Sequence, residues 1–441
     1  MASSSSTTTT TIFSPFSLPS TPHRFPKSLK YPIISPPTRR LRISSCLAVD
    51  PTDDNLSTPS LHPDDDDLRI VFAAGGTGGH IYPAIAIADD FKLLHPAAKI
   101  LFLGTGSGME SISAPSAGFD FAAVPAVALA RPLLSPLNLV FPFRLLKCVL
   151  ASYRKLRDIR PRVVVGTGGY VAAPVCLAAA LSGVKVVIQE QNSVPGLANR
   201  LLGLFADKVF VSFESSSTYF PTEKCEVSGN PVRASLRRYT SKAVARMHFF
   251  PREAVSGAQV LLVLGGSLGA NSINIAVLNM YYQMLMEHKN RFVIWQTGVA
   301  GFDEMESLVR NHPRLLLTPF LHTMDLAYAG ADLVVSRAGA MTCSEILATG
   351  KPSILIPSPN VAEGHQIRNA YIMENIAGSR IILEEELDST TLGSVIDGIL
   401  GDESEMALMS EKAMKAARPD ASAQIAQHIL SLAKLPAQTT K

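Results

Sequence analysis

The sequence predicts an α/β chain of two Rossmann-like domains, each a parallel sheet wrapped by helices, facing one another across a cleft. Three observations carry this reading. From residue 68 onwards, short Val-, Ile- and Leu-rich runs alternate with helical stretches, the pattern of β-α-β units with right-handed crossovers. The unit strand, Gly-Gly-x-x-Gly, helix occurs twice, at Gly75 and again at Gly265, which suggests two similar domains. Polar residues just past strand ends, among them Tyr170, Asn192 and Arg233, hold the positions that line ligand crevices in such sheets.

Residues 68–74 read as a buried strand. Gly75-Gly76-Thr77-Gly78-Gly79-His80 follows, and a helix starts within residues 81–88, with Pro83 near its first turn. This layout aims backbone N–H groups and a positive helix end at an anion, and glycines let another molecule approach the backbone. No Gly-Lys-Ser/Thr of the Walker kind follows, and the spacing is not a clean dinucleotide fingerprint. An imidazole at the mouth of the turn can take a proton near neutral pH. The spacing alone leaves His80 either a catalytic base or a helix-cap histidine.

Residues 99–104 read as a second strand. Residues 122–150 are apolar but broken by Pro125, Pro132, Pro136 and Pro142, too interrupted to span a bilayer. Their Leu133, Leu134, Leu137, Leu139, Val140, Phe141 and Phe143 lie beside Arg131, Arg144, Lys147, Arg154 and Lys155. An apolar patch fringed with cations suits a peripheral contact with an anionic membrane; an ordinary core helix and loop fits this segment equally. Strands follow at 162–166, 184–188 and 208–212, with a small-residue helix at 172–181. Residues 234–258 read as an inter-domain connection. The pattern then restarts with a strand at 259–264, the turn Gly265-Gly266-Ser267-Leu268-Gly269-Ala270, and a helix from Asn271. Further strands are expected at 291–296, 315–319, 332–336 and 353–357, and a last helix at 416–435.

The second half offers its own candidates. Gly339 and its small neighbours suit a tight strand-to-helix turn, and Glu345 falls about one turn into the helix, where a carboxylate can accept two hydroxyls, as from a ribose. A carboxylate there is equally one stabilised by the helix dipole. Gln366 and Asn369, three apart, can face one ligand or form a polar solvent face. No hydrophobic-flanked Asp-x-Asp is present to hold a metal at a diphosphate, so no cofactor is expected and N–H groups, Ser267 and Arg233 would carry that charge.

Composition sets the class. The chain has 441 residues, 47% hydrophobic and 17% charged, enough for two domains. Its formal charge of +3 is concentrated in residues 1–49, which hold Arg24, Lys27, Lys30, Arg39, Arg40 and Arg42 and no acid. The remainder carries 34 basic against 37 acidic residues, so no nucleic-acid surface is implied. Cys46, Cys148, Cys176, Cys225 and Cys343 are scattered and odd in number, which argues against a disulfide framework or a zinc site. Residues 2–45 are Ser/Thr/Pro-rich, basic and acid-free: a transit-peptide composition, with the Ser/Thr wealth favouring a plastid, processed near Ile43-Ser44-Ser45-Cys46. Residues 50–67, ending in Asp64 to Asp67, read as a solvated linker.

Seven stretches in order give a specific resemblance: residues 75–80, 166–170, 190–192, 229–233, 265–269, 337–345 and 365–370. Together they make residues 68–435 resemble the MurG family of UDP-N-acetylglucosamine transferases. The resemblance implies the GT-B fold, with an acceptor and membrane-side domain at 68–233, a UDP-sugar domain at 234–415, the helix 416–435 crossing back onto the first domain, and a tail at 436–441. It implies transfer of N-acetylglucosamine from UDP-N-acetylglucosamine to the muramyl 4-hydroxyl of a polyprenyl-diphosphate-linked muramyl peptide, with inversion. The transit-peptide composition and the cation-fringed apolar patch, not the resemblance, place the expected work at the surface of an internal plastid membrane (inner envelope or thylakoid side). By position, His80 matches the base or an acceptor-site histidine. Thr77, Gly78, Gly79, Tyr170 and Asn192 fall on the acceptor side. Arg233, Ser267 and Gly269 match the diphosphate site, Leu321 and Ala340 the uracil contacts, Met341 and Thr342 the neighbouring turn, Glu345 the ribose contact, and Gln366 and Asn369 the sugar contacts. Leu268 and His365 each stand where some members carry Gln. Two relatives in fold are alternatives: a plastid transferase that galactosylates diacylglycerol, and a UDP-N-acetylglucosamine 2-epimerase-like isomerase. A nicotinamide-dependent oxidoreductase is opposed by the lack of an acid about 20 residues past a clean Gly-x-Gly-x-x-Gly. A decayed transferase that only binds a partner is opposed by the full set of site residues.

Overall fold

A computed structural model describes residues 68–130, 135–251, 257–361 and 364–435. The expected transit segment, the acidic linker, the tail at 436–441 and the Arg131, Leu133 and Leu134 part of the apolar stretch lie outside the described residues.

The first sheet holds seven strands: β1 (Arg69–Ala73), β2 (Lys99–Gly104), β3 (Asp120–Ala123), β4 (Val163–Gly166), β5 (Lys185–Glu190), β6 (Lys208–Val211) and β7 (Cys225–Val227). Their order is β3-β2-β1-β4-β5-β6-β7, all parallel, with Phe72 in register with Phe102 and Val165. The second sheet holds β8 (Gln259–Leu264), β9 (Arg291–Gln296), β10 (Leu315–Thr318), β11 (Leu333–Ser336), β12 (Ser353–Leu355) and β13 (Arg380–Ile381), ordered β10-β9-β8-β11-β12-β13 and again parallel.

Both central strands are apolar on both faces because helices cover both. In β1, Ile70 and Phe72 join one core with Ile81, Ile87 and Phe91, while Val71 and Ala73 join another with Val171 and Val175. In β8, Leu261 and Val263 face one core, and Val260 and Leu262 the other. Strand side chains alternate between faces, so a continuous Val/Ile/Leu run is what a sheet buried on both sides requires.

Three segments differ from the sequence reading. The first helix runs Gly78–Leu94, so Pro83 sits in its second turn at the cost of one ladder hydrogen bond. Residues 234–258 include the helices Ala234–Arg237 and Lys242–Phe249, and Leu236 and Phe250 belong to a core of the second sheet rather than to a free connection. The stretch 416–435 is not one helix: Ala416 ends the helix Glu403–Ala416, and a new one runs Ala421–Lys434. Pro419 explains the break, since it lacks an N–H and pushes the preceding residue out of helical geometry.

The turn around Pro419 lets the last helix cross to the first domain. Ile425, Ala426, Ile429 and Ala433 are buried in the core that contains Ile70 and Phe72. The two isoleucines together contribute about 3–6 kcal/mol of burial. Asp90, buried on the Gly78–Leu94 helix, fastens the crossing: its two oxygens accept from the single nitrogen Arg237 Nη2 at 2.7 and 2.9 Å, and Oδ2 also accepts from Ser422 Oγ. Removing either partner leaves a buried charge poorly compensated.

Candidate active site

The two glycine turns open into one cavity of about 630 Å³ between the sheets' C-terminal ends, within the usual range for a ligand site. His80, Arg233 and Glu345 all line it. A smaller cavity of about 330 Å³ is lined by other residues, among them Phe213, Leu347 and Arg418, and by none of the predicted site residues.

On the first-domain wall, the turn after β1 starts the Gly78–Leu94 helix, whose first N–H groups have no partner within the helix. The turn is held from behind. Glu110, 1% exposed, accepts from Gly76 N at 3.3 Å, Thr105 N at 2.8 Å and Thr105 Oγ1 at 2.7 Å. The N–H of Gly76 is therefore occupied by the protein's own carboxylate, and Thr77, Gly78 and Gly79 are the turn residues that face the cavity. The neighbouring turn touches it backbone to backbone: Gly169 has φ +79°, and a Cβ there would lie 2.1 Å from Gly75 O, so only glycine fits.

His80 is oriented by its ring Nδ1, which lies 3.1 Å from Thr167 O and 3.0 Å from Gln191 Oε1. The Gln191 amide has its own orientation set, because Nε2 donates to Thr167 O at 2.7 Å and to Gln189. Nδ1 thus faces two acceptors and carries the proton, leaving Nε2 free to accept one. Thr167 Oγ1 closes the arrangement by donating to His80 O at 2.8 Å.

The 190–199 loop is organised by buried Glu190. Its Oε1 accepts from Asn192 N at 2.9 Å and Asn192 Nδ2 at 3.2 Å, and its Oε2 from Asn199 Nδ2 at 2.8 Å and Gly196 N at 3.2 Å. Asn192 reaches the cavity. Tyr170 does not line it; its ring lies against Gly76, beneath the turn.

On the second-domain wall, residues 264–269 pass from β8 into the Asn271–Glu287 helix and line the cavity, Ser267 and Gly269 among them. Gly269 has φ +104°, and a Cβ there would meet Thr297 O at 2.8 Å, so the turn can lie flat against the next strand end only without a side chain. Leu321, Ala340, Met341 and Thr342 form the neighbouring wall. Glu345 is 7% exposed and accepts from the buried Tyr328 hydroxyl at 3.1 Å. Burial pushes its carboxyl above the usual range, against the pull of the Arg233 charge and the Tyr328 hydrogen bond. Arg233 enters from the segment joining the domains with its guanidinium over the Tyr82 ring, and its Nε is buried without a hydrogen-bond partner among the described residues.

Gln366 lines the cavity, and its Oε1 accepts from Ser358 N at 2.9 Å. Asn369 does not: it is fully buried, donates to Ala338 O at 3.1 Å and accepts from Ser193 N at 3.3 Å, tying the two domains together. Sequence reasoning passed over Tyr82, Gln191 and Arg337, which line the same cavity. Arg337 pairs with Glu384 and donates to Ser272 Oγ at 2.9 Å. Among the described residues, no group of three or more His, Cys, Asp or Glu is placed to hold a metal ion.

Comparison with known proteins adds family matches across both domains. Residues 70–211 match the glycosyltransferase family 28 N-terminal domain, and residues 260–425 match the glycosyltransferase family 28 C-terminal domain. The chain is 43% identical over 365 residues to the UDP-N-acetylglucosamine–N-acetylmuramyl-(pentapeptide) pyrophosphoryl-undecaprenol N-acetylglucosamine transferase of Salinibacter ruber, covering 83% of this chain and 97% of that one. It is 38% identical over 370 residues to the like-named enzyme of Bacillus cytotoxicus, covering 83% and 100%. The crystal structure of Acinetobacter baumannii MurG is similar with a TM-score of 0.63 at 26% identity, over 82% of this chain and 99% of that one. UDP-GlcNAc 2-epimerase from Neisseria meningitidis, at 14% identity, TM-score 0.58 and coverage of 83% and 100%, shares the fold.

Proposed function

We propose a function from one premise: the chain belongs to glycosyltransferase family 28, in its MurG branch. It transfers N-acetylglucosamine from UDP-N-acetylglucosamine to the 4-hydroxyl of a polyprenyl-diphosphate-linked N-acetylmuramyl peptide. The observation that carries this reading is a single cavity with the His80 imidazole, its Nδ1 held against two acceptors, on one wall and a glycine turn, Arg233 and Glu345 on the other.

The step is one in-line displacement. The acceptor oxygen attacks the anomeric carbon as the bond to the UDP oxygen breaks, and His80 Nε2 takes the hydroxyl proton. UDP leaves with the bonding electrons. Its charge gathers against Arg233 and the N–H groups at the turn holding Ser267 and Gly269, and such preorganised donors are worth most in a cavity that excludes water. Glu345 receives the ribose hydroxyls. The N–H groups of Gly78 and Gly79 hold the acceptor's diphosphate at the start of the first helix. General-base assistance contributes about 100- to 10,000-fold, so His80→Ala lowers kcat by that order while UDP affinity stays nearly unchanged. Transfer to a polyprenyl-diphosphoryl muramyl peptide by His80→Ala at the wild-type rate would overturn the base assignment.

The cell compartment forms the outer part of the proposal. The acid-free, Ser/Thr-rich composition of residues 2–45 supports delivery to a plastid. The exposed apolar face of the Phe141–Ile159 helix, with Arg144 and Lys147 on the same helix, supports peripheral contact with an internal plastid membrane. No described helix is long and apolar enough to cross a membrane. Import of the full chain into isolated chloroplasts, read as a shortened and protease-protected product, tests the targeting; a full-length product left open to protease would overturn it.

A further inference from the structure

We propose that Asn230 is a positioning residue that sets the His80 base and the donor-side helix Ala340–Thr349 in one alignment. The proposal rests on the base assignment above. Asn230 stands in the segment between β7 and Arg233, where the chain leaves the first domain, and it is 4% exposed.

Its side chain is bonded in both directions. Nδ2 lies 2.9 Å from Ser344 Oγ, 3.1 Å from Gln191 O and 3.4 Å from Ala340 O. Oδ1 accepts from Gln189 Nε2 at 3.1 Å and from Ser212 Oγ. Gln191 passes the contact to the base, since its Oε1 lies 3.0 Å from His80 Nδ1. Ser344 passes it to the donor wall, because its hydroxyl donates to Ala340 O at 3.0 Å in the first turn of the helix whose Met341, Thr342 and Glu345 line the cavity. One amide thus bonds the strand end that carries the base's partner and the helix that faces the sugar nucleotide.

The residue type follows from this. The position needs two hydrogens pointing at Gln191 O and Ser344 Oγ and an oxygen pointing at Gln189 and Ser212, which asparagine supplies in a fixed plane. An aspartate keeps the size but turns an oxygen towards two carbonyls.

Asn230→Asp therefore lowers kcat by about tenfold or more while the KM for UDP-N-acetylglucosamine stays within about twofold, and Asn230→Asp/His80→Ala turns over no slower than His80→Ala, because residues acting through one step do not multiply their losses. An unchanged kcat in Asn230→Asp, or losses that multiply in the double variant, would overturn the proposal. Should Asn230→Asp not fold, Ser344→Ala removes the 2.9 Å donor-side bond and leaves the bonds of Asn230 to Gln189, Gln191 and Ser212 in place. It gives a smaller kcat loss that likewise vanishes in the His80→Ala background, and a loss that persists there would count against Asn230. His80→Ala at full rate would instead remove the underlying base assignment, so the two failures are distinguishable.

Discussion

The Arg233 guanidinium lies 3.8 Å above the centre of the Tyr82 ring. Tyr82 belongs to the first-domain helix and Arg233 to the segment that enters the second domain, so the contact fixes a positive charge from one side of the cavity with a ring from the other. A cation over an aromatic face is worth about 0.5–2 kcal/mol. Tyr82→Leu keeps apolar bulk but loses the ring's negative face. Steady-state kinetics should show the KM for UDP-N-acetylglucosamine rising about 2- to 30-fold, with kcat changed less, if the ring aims Arg233 at the diphosphate. An unaltered KM would leave the ring as packing only.

Glu345 should report its burial in the pH dependence of donor binding. Its carboxyl titrates above the ordinary range because burial outweighs the Arg233 charge and the Tyr328 hydroxyl. As pH falls, the carboxylate is therefore lost earlier than an exposed one would be, and the donor KM should begin to rise at a correspondingly higher pH. Stability runs the other way. A carboxyl raised in the folded chain binds its proton there first, so folding is favoured as pH falls through that window. Glu345→Gln should raise the KM by about 1.5–3 kcal/mol, roughly 10- to 150-fold, and make it flat across the window. A KM profile that keeps its acid limb in Glu345→Gln would assign the titration to another group.

The fold was legible because its signals are local. A two-faced apolar strand followed by a glycine turn can be read from residues 70–79 alone, and again from 260–269. The glutamate of the second domain was legible for the same reason, lying one turn past a small-residue turn. What escaped depends on contacts between distant segments. Gln191 touches His80 across 111 positions, and nothing in either stretch announces the pair. Asn369 looks like a ligand residue by its spacing from Gln366, yet it is spent on Ser193, 176 positions away. The break at Pro419 was readable from that residue, but the alanine-rich stretch around it reads as one helix when proline is weighed too lightly.

Asp89 offers a pH-dependent test of the crossing that fastens the last helix. It neighbours Asp90, and its carboxyl is raised from 3.8 to about 6, by burial first and then by the Asp90 charge, with Arg237 opposing. Because the folded value exceeds the unfolded one, the folded chain holds the extra proton between about pH 4 and 6, and stability rises as pH falls through that window. Above about 6 the ionised group is a standing penalty. Asp89→Asn removes it. Thermal melts should show Asp89→Asn more stable than wild type by a few degrees at pH 7.5, with the gap closing towards pH 4. A gap independent of pH would place the titration elsewhere.

The Phe141–Ile159 helix buries Cys148, Val149, Ser152 and Leu156 against the domain and leaves Phe143 (76% exposed), Leu146 (56%) and Leu150 (50%) outside, and Leu139 (78%) is exposed in the 3-10 turn Pro136–Val140 just before it. Phe143, Leu146 and Leu150 are spaced by three and four residues, so they form one stripe, and Arg144 and Lys147 are exposed on the same helix. A stripe of this kind binds a bilayer through two additive terms. Inserting one Phe or Leu contributes about 1.5–3 kcal/mol, and each cation near an anionic surface about 1 kcal/mol, which salt screens. Phe143→Glu should weaken sedimentation with anionic vesicles by about tenfold or more at any salt, since it removes the insertion itself. Lys147→Glu should weaken it by about fivefold or more at low salt, and the deficit should shrink as ionic strength rises or anionic lipid is withdrawn. Neither substitution touches the cavity, so UDP affinity should hold in both. Equal vesicle binding by Phe143→Glu and wild type would mean that this stripe is not the membrane contact, whatever the charge variant does.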